Sequence, residues 1–369
     1  MKIQKPTLFI DEYRCKLNIH LMAEKARENN CIFRPHFKTH QSLEIGSWFK
    51  NEGVTKITVS SLEMAEYFAS EWNDITVAFP VNVLEIDTIN ALAAKIQLNL
   101  IIESIDTVDF LAKNLRSNIH YFLKIDVGYH RTGLNPDSFE LMEEINLAAT
   151  KSTKLKFKGF LGHAGHTYKC MSNEAIRQVD QESRDLMNKL KNHFVKDFPQ
   201  LIISLGDTPS CSVSHDFKGI DEIRPGNFVF YDLTQYVISS NTIDQIALAM
   251  ACPIVAIHPE KNEIVVYGGG IHFAKDRLEF LGKGIVWGLV VENPSSNSLS
   301  ERGKIWGEPI LDMFVSSLSQ EHGIVTVPSE RINQYVLGDI IYILPVHSCM
   351  TGHAMGRYFT HEGRVIERF

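Results

Sequence analysis

The chain has 369 residues, 44% of them hydrophobic and 22% charged, with a formal net charge of −7. That length supplies material for a sizeable core and more than one domain, while the acidic balance excludes a nucleic-acid footprint. No apolar stretch reaches the ~18 residues needed to cross a bilayer, and Met1 to Ile10 lacks the apolar run of a signal peptide.

In chain order, residues 7–10 read as a short strand, and Asp11 caps a helix reaching about residue 29. On that helix Tyr13, Leu17 and Leu21 fall on one face, with Met22 and Ala26 beside them. Residues 31–33 form a β-branched and aromatic run that Pro35 ends, since it has no N–H for a ladder bond. Further strands are expected at 56–59, 75–79, 98–102, 120–126, 157–161, 201–205 and 222–224. Helical patterns lie between them at 42–51, 61–69, 86–95, 107–114, 138–149 and 173–193. Counting from Cys31, about eight strand–helix units predict an α/β fold, a (β/α)8 TIM-type barrel. Its strands carry continuous apolar runs, as strands buried on both faces do. From residue 241 helical periodicity fades. Short strand-like runs at 247–257, 263–267, 285–291, 323–327 and 340–344 predict a mostly β C-terminal domain. Residues 292–303 read as an exposed loop without catalytic character. The six cysteines are scattered with no Cys-x-x-Cys pair, which fits free thiols in a reducing cytoplasm.

Chemistry concentrates just past the expected strands, where barrel folds build their active sites. Lys38 follows the first barrel strand among Arg34, His36 and His40. A lysine crowded by cations and partly desolvated holds its proton less tightly and can act as a nucleophile. After the fifth strand, Gly128 and Gly133 permit a tight turn presenting His130 and Arg131, unless Asp126 and Arg131 merely pair across it. The next loop, Gly162-His-Ala-Gly-His-Thr-Tyr168, offers His163, His166 and Tyr168. Its glycines argue against a helical metal pair and for an aromatic platform. Past the seventh and eighth strands, Thr208 and Ser210 hydroxyls with backbone N–H groups around Gly226 and Asn227 suit an anion cradle, from which Asp207 must turn away. In the C-terminal part, Tyr267-Gly-Gly-Gly270 reads as a turn needing positive φ. His347 and Cys349, two apart at a strand end, project to one face and could share an ion.

The segment Arg34-Pro-His-Phe-Lys-Thr-His-Gln41 resembles the pyridoxal phosphate lysine segment of the D-threonine aldolase and eukaryotic-type D-serine dehydratase family, and the later motifs follow in that family's order. The resemblance implies a fold-type III enzyme with an alanine racemase-like barrel over about 15–240. A β-domain over 241–369 would be joined by the N-terminal strand within 1–14. It implies Lys38 as the Schiff-base lysine, Arg131 at the cofactor's phenolate oxygen, His163 near the ring face and Tyr168 near the reacting centre. It puts the phosphate at Thr208, Ser210, Gly226 and Asn227, and a divalent metal, usually zinc and otherwise manganese, on His347 and Cys349. The expected activity is that of a cytoplasmic, homodimeric lyase on β-hydroxy D-amino acids, either dehydrating them or cleaving Cα–Cβ. An amino-acid racemase of the alanine racemase type and a non-catalytic pyridoxal phosphate-binding protein stay open as alternatives. The long region after the barrel speaks against the second.

Overall fold

The computed structural model describes residues 2–280, 282–293 and 305–369. The chain divides into two compact units, one of residues 20–226 with Phe369 and one of residues 1–19 with 227–368. It begins with β1 (Thr7–Ile10) and α1 (Glu12–Glu28). On α1 the buried side is Cys15, Ile19, Met22, Ala23 and Ala26, while Tyr13, Leu17 and Leu21 are 63%, 40% and 46% exposed. The stripe read from the sequence is real in spacing but faces solvent. The small residues beside it allow the close approach that decides which side packs.

In the unit of residues 20–226 eight parallel strands follow: β2 (Ile32–Phe33), β3 (Ile57–Val59), β4 (Asp74–Pro80), β5 (Gln97–Ile102), β6 (Ile119–Lys124), β7 (Leu155–Leu161), β8 (Ile202–Leu205) and β9 (Glu222–Ile223). They pair in the order β2-β9-β8-β7-β6-β5-β4-β3. The curl closes at a parallel bridge between His36 and Thr58, where Phe37 N–H donates to Thr58 O at 2.8 Å and Thr58 N–H to Pro35 O at 2.9 Å. The intervening helices are α2 (Leu43–Asn51), α3 (Leu62–Phe68), α4 (Ile86–Ala93), α5 (Ile105–Asn114), α6 (Phe139–Ala149), α7 (Asn173–Phe194) and α8 (Thr208–Val213). The barrel expected from the strand–helix rhythm is thus borne out. Serine caps set several starts: Ser61, Ser104 and Ser172 accept the N–H groups of Met64, Thr107 and Ala175, each before an acidic first turn.

The second unit holds α9 (Leu233–Val237), β10 (Leu248–His258), β11 (Glu263–Tyr267), α10 (Gly270–Phe273), β12 (Leu278–Glu279), β13 (Ile285–Val286), β14 (Gly288–Val291), β15 (Pro309–Leu318), β16 (His322–Thr326), β17 (Ile340–Pro345), α11 (Ser348–Met355), β18 (Arg357–Phe359) and β19 (Val365–Glu367). The order β11-β16-β15-β14-β17-β10-β1-β18-β19, with β11 also pairing β10, closes an antiparallel barrel and extends it through β1. The buried run Leu248–Ile254 on β10 serves both sides, pairing β1 and β17. The units divide at Gly226 and Asn227 rather than near residue 240. Strand β15 escaped the sequence reading because Asp312, Ser316 and Ser317 break its apolar run. The loop read at 292–303 lies, from residue 294 onward, outside the described residues. Among the described residues no helix is long and apolar enough to cross a membrane, and all six cysteines are free thiols.

Candidate active site

Lys38 sits exposed on the turn just past β2. Phe37 anchors that turn, fully buried with ring centroids 5.0, 5.1 and 5.1 Å from Phe49, Phe68 and Trp72. His40 stacks on Phe49, and Gln41, at φ 47°, closes the turn by donating its N–H to Phe37 O at 2.9 Å. The turn's apolar side chains therefore fill the core and leave Lys38 outside. Two of the cations expected around it are not there. His40 belongs to the aromatic core. Arg34 points into the barrel interior, where Nε donates to Glu222 at 2.6 Å and Nη1 to Asp74 at 2.8 Å. The second case follows from the chain leaving the strand at Pro35, after which Lys38 lies on a turn and no longer keeps the strand's facing.

The charges of Lys38, Arg131 and Arg224 converge instead on two imidazoles, His36 and His163. Burial, then the charges of Lys38, Arg224, His163 and Arg131, hold His36 well below its ordinary value. His163 falls to about 3, mainly by burial and then by the charge of Lys38, with Arg224 and Arg131 adding and a hydrogen bond to Gly206 O opposing. Both imidazoles are neutral near neutral pH. The Lys38 N–H donates to His36 Nδ1 at 3.3 Å, which assigns that nitrogen as the acceptor.

The turn after β6 is held by its acid. Asp126 Oδ1 accepts the N–H groups of Gly128 and His130 at 3.0 and 2.9 Å, and its other oxygen meets His130 Nδ1 at 2.9 Å. Asp126 thus pairs with His130 and leaves Arg131 to stack over Tyr129, 4.9 Å from the ring centroid. At Gly133, φ 117°, a Cβ would lie 2.5 Å from Asp126 N, so only glycine fits. Tyr129 went unnoticed in the sequence. Its ring lies over Gly165, where a Cβ would come within 2.6 Å, and meets His163 edge-on at 5.8 Å. The glycine in Gly162-His-Ala-Gly-His-Thr-Tyr168 was the available signal. His163 and Tyr168 are both half-buried, Tyr168 on a short 3-10 turn.

Another lysine of this unit lies within reach of the charges of Arg224 and Arg131. Lys124, at the end of β6, is buried and donates to Ile125 O at 2.7 Å. Burial, helped by Arg224 and opposed by Glu103, lowers it to about 8.

Thr208 and Ser210 open α8 just past β8, and Gly226 follows β9. Gly226 N–H donates to Thr208 Oγ1 at 3.2 Å, which ties the two loops together. Ser210 Oγ is buried beside the Asp207 carboxyl and meets no partner at full hydrogen-bond geometry among the described residues, the kind of group a bound phosphate oxygen satisfies. A Cβ on Gly226 would lie 2.9 Å from His36 O, so the backbone approach there needs glycine. Asp207 does turn away. Its Oδ1 accepts Ser210 N–H and Thr167 Oγ1, each at 2.8 Å, as the cap of α8, and burial pushes its carboxyl up to about 7. A half-neutral acid aimed into its own helix start is compatible with an anion nearby. The hydroxyls, glycine approach and clustered cations fit pyridoxal phosphate.

Arg224 is a further residue that the sequence does not single out. It is buried, and its two terminal nitrogens donate to Ser204 Oγ and to Gly162 O, at the root of the His163 loop. Ser204 Oγ in turn donates to Glu222 at 2.5 Å. Burial alone would raise Glu222, but Arg34 and the Ser204 hydroxyl outweigh it and hold the carboxyl below its ordinary value.

In the other unit His347 and Cys349 come not from a strand end, as the spacing suggested, but from the start of a helix. Strand β17 stops at Pro345, His347 caps α11, and Cys349 lies in its first turn. His347 Nδ1 meets Asp276 Oδ2 at 3.1 Å. Burial opposes protonation of His347, but its bonds to Asp276 and Cys349 and the charges of Cys349 and Asp232 raise it to about 11. Among the described residues no three His, Cys, Asp or Glu side chains gather as a metal cage. An imidazole and a thiol in hydrogen-bond contact, with a carboxylate on the imidazole's Nδ1, fit a soft divalent cation held by two protein ligands. The Asn227 side chain points away from the proposed cradle, to which the sequence assigns only its backbone. Its Nδ2 donates to Asp232 Oδ2 at 2.7 Å and to Ser348 Oγ at 3.0 Å. The Gly-Gly-Gly turn also differs from expectation: none of Gly268, Gly269 and Gly270 has positive φ. They are needed for close approach, since a Cβ on Gly269 would lie 2.5 Å from Gln320 O.

Residues 10–233 match the family described as alanine racemase, N-terminal domain, and residues 247–361 the one described as "Putative serine dehydratase domain". The chain is 28% identical to a D-serine dehydratase of Dictyostelium discoideum, covering 100% of this chain and 96% of that relative. It is 25% identical to a D-threo-3-hydroxyaspartate dehydratase of Delftia sp., covering 97% and 94%. A solved D-threo-3-hydroxyaspartate dehydratase, a cysteine-to-alanine mutant in the metal-free form, superposes with a TM-score of 0.90 at 23% identity, covering 100% and 98%, a likeness of fold.

Proposed function

The chain belongs to the alanine racemase N-terminal domain family, and from that premise we propose that it is a pyridoxal phosphate-dependent lyase that eliminates water from β-hydroxy D-amino acids. The observation that carries the reading is that the Lys38 turn, through His36, packs against Gly226, whose N–H donates to Thr208 at the start of α8, while the charges of Lys38, Arg131 and Arg224 act on His36 and His163. The names of the relatives point to dehydration.

Pyridoxal phosphate, when bound, supplies an electron sink for the charge left at Cα, and a divalent metal supplies a Lewis acid for the substrate hydroxyl. Lys38 Nζ would hold the cofactor covalently and is the group to take the Cα proton. Thr208, Ser210 and the backbone at Gly226 would hold the phosphate. Arg131, steadied on the Tyr129 ring, would meet the phenolate oxygen with a fixed positive charge. His163, kept neutral, would lie against the ring without adding charge. Tyr168 would stand near the reacting centre. His347 and Cys349 would hold the metal, and a thiolate with an imidazole favours zinc. The same reading carries a homodimer, which sedimentation would test.

The test incubates the protein with D-serine, D-threonine, D-threo-3-hydroxyaspartate and their L-forms, with and without EDTA, and identifies the products. The proposal expects a 2-oxo acid and ammonia from the D-forms alone, lost with EDTA. Glycine and an aldehyde would indicate Cα–Cβ cleavage, an inverted amino acid a racemase, and no product a binding protein.

A further inference from the structure

The start of α11 is fastened by groups that no part of the proposed chemistry uses. Asp232 is buried, and its Oδ1 caps α9 by accepting Gln235 N–H at 3.0 Å. Its Oδ2 accepts Ser348 N–H at 3.1 Å and Asn227 Nδ2 at 2.7 Å. One carboxylate therefore fixes the first turns of two helices. Asn227 then reaches past it: the same Nδ2 lies 3.0 Å from Ser348 Oγ and 3.4 Å from Cys349 Sγ. A carboxamide has two N–H groups. One is taken by the carboxylate, and the other is shared between the Ser348 hydroxyl and the Cys349 sulfur. The orientation is forced, because a flipped amide would set its oxygen against the Asp232 carboxylate. In the orientation adopted, Asn227 Oδ1 is buried without a hydrogen-bond partner among the described residues. A buried acceptor left unsatisfied is unfavourable, so aiming the N–H side at Asp232, Ser348 and Cys349 outweighs satisfying the oxygen.

We infer that Asn227, seated on Asp232, is a positioning residue that aims the Cys349 sulfur at a divalent metal and tempers its charge through an N–H···S hydrogen bond. The inference rests on the proposed metal role of His347 and Cys349. The Asp276 carboxylate does the corresponding work on the imidazole, so each of the two ligands is oriented by its own partner. An outer-shell partner of this kind is worth about 10–100-fold in metal affinity. Drawing electron density from sulfur also raises the energy of charge transfer from sulfur to a bound metal.

The test uses the full-length, pyridoxal phosphate-loaded protein, stripped of metal and titrated with Co(II) and, in competition with a chromophoric chelator, Zn(II). Wild type, Asn227→Leu, Asn227→Ser and Cys349→Ala are compared, with circular dichroism as the check on folding. Asn227→Leu keeps the branched shape and heavy-atom count of the side chain and removes both N–H groups. Asn227→Ser, which cannot reach the sulfur, serves if the leucine variant does not fold. The expected result is a loss of affinity of about 10–100-fold in the Asn227 variant, with its sulfur-to-cobalt band moved to longer wavelength. An affinity and band equal to wild type in a folded Asn227 variant overturn the inference, while binding that Cys349→Ala abolishes leaves the metal reading standing. If wild type and Cys349→Ala titrate alike, the metal reading falls and the inference with it.

Discussion

Replacing Glu222 by glutamine tests whether the barrel interior depends on a compensated charge. The Glu222 carboxylate is fully buried and accepts Arg34 Nε at 2.6 Å and Ser204 Oγ at 2.5 Å. Glutamine keeps the shape but removes the charge. Arg34, itself fully buried, then keeps Asp74 as its carboxylate partner, and Arg224 loses the largest of the negative influences that oppose its burial. Removing one partner of a buried pair costs about 3–5 kcal/mol. A domain of this size loses roughly 2–4 °C per kcal/mol, so melting should fall by about 6–20 °C near neutral pH. Because the folded Glu222 carboxyl sits below its ordinary value, its stabilisation is fully present above the ordinary glutamate pKa and is lost as pH falls through the folded value. The deficit of Glu222→Gln should therefore shrink in acid. Adding Arg34→Met should recover part of the loss, since the two residues share one network. Calorimetry near neutral pH and at about pH 4 measures both effects. A variant melting within about 2 °C of wild type, or a deficit unchanged by pH, refutes the reasoning.

His163 is neutral in the fold down to about pH 3, whereas an unfolded histidine takes a proton near 6.5. Wild-type stability should therefore fall as pH drops through that window, by about 1.4 kcal/mol per pH unit more than in His163→Gln, as calorimetric pH series would show. Asp207, pushed up to about 7, has the opposite sign: wild type should lose stability relative to Asp207→Asn as pH rises from about 4 to about 7, then hold level. Equal pH profiles in denaturant titrations would count against a buried neutral acid. Gly226→Val should weaken pyridoxal phosphate binding at least tenfold, about 1.4 kcal/mol, while far-ultraviolet dichroism is retained, because its Cβ would press on His36 and Thr39. Cys349→Ala should abolish turnover of β-hydroxy D-amino acids while the cofactor's absorbance band persists, and turnover at the wild-type rate would make the proposed metal site idle.

The barrel was legible because its strands are continuous apolar runs separated by serine-capped amphipathic helices, a signal each segment carries alone. What was not legible depends on partners far away in sequence. Arg34 stands four residues before Lys38, yet its carboxylate partner, Glu222, lies 188 positions on, and nothing local shows that it faces inward. Tyr13, Leu17 and Leu21 have the spacing of a buried face, but periodicity defines a face and not which side of it meets the core. The His347–Cys349 spacing was read as a strand because a strand precedes it, whereas the chain turns helical just beyond Pro345. Arg224 was hidden in plain sequence. Its importance comes from what it touches at Gly162 and Ser204, on two other strands' ends.

Exposed Lys38, whose charge acts on His36 and His163, and buried Lys124, on which Arg224 and Arg131 act, are the two candidates for the Schiff-base lysine, and the proposed function takes the first. Borohydride reduction of the protein loaded with pyridoxal phosphate, followed by peptide mapping, decides between them. The reduced cofactor should lie on the peptide containing Lys38, with none after Lys38→Ala. Label on Lys124, or label that survives Lys38→Ala, would contradict that assignment.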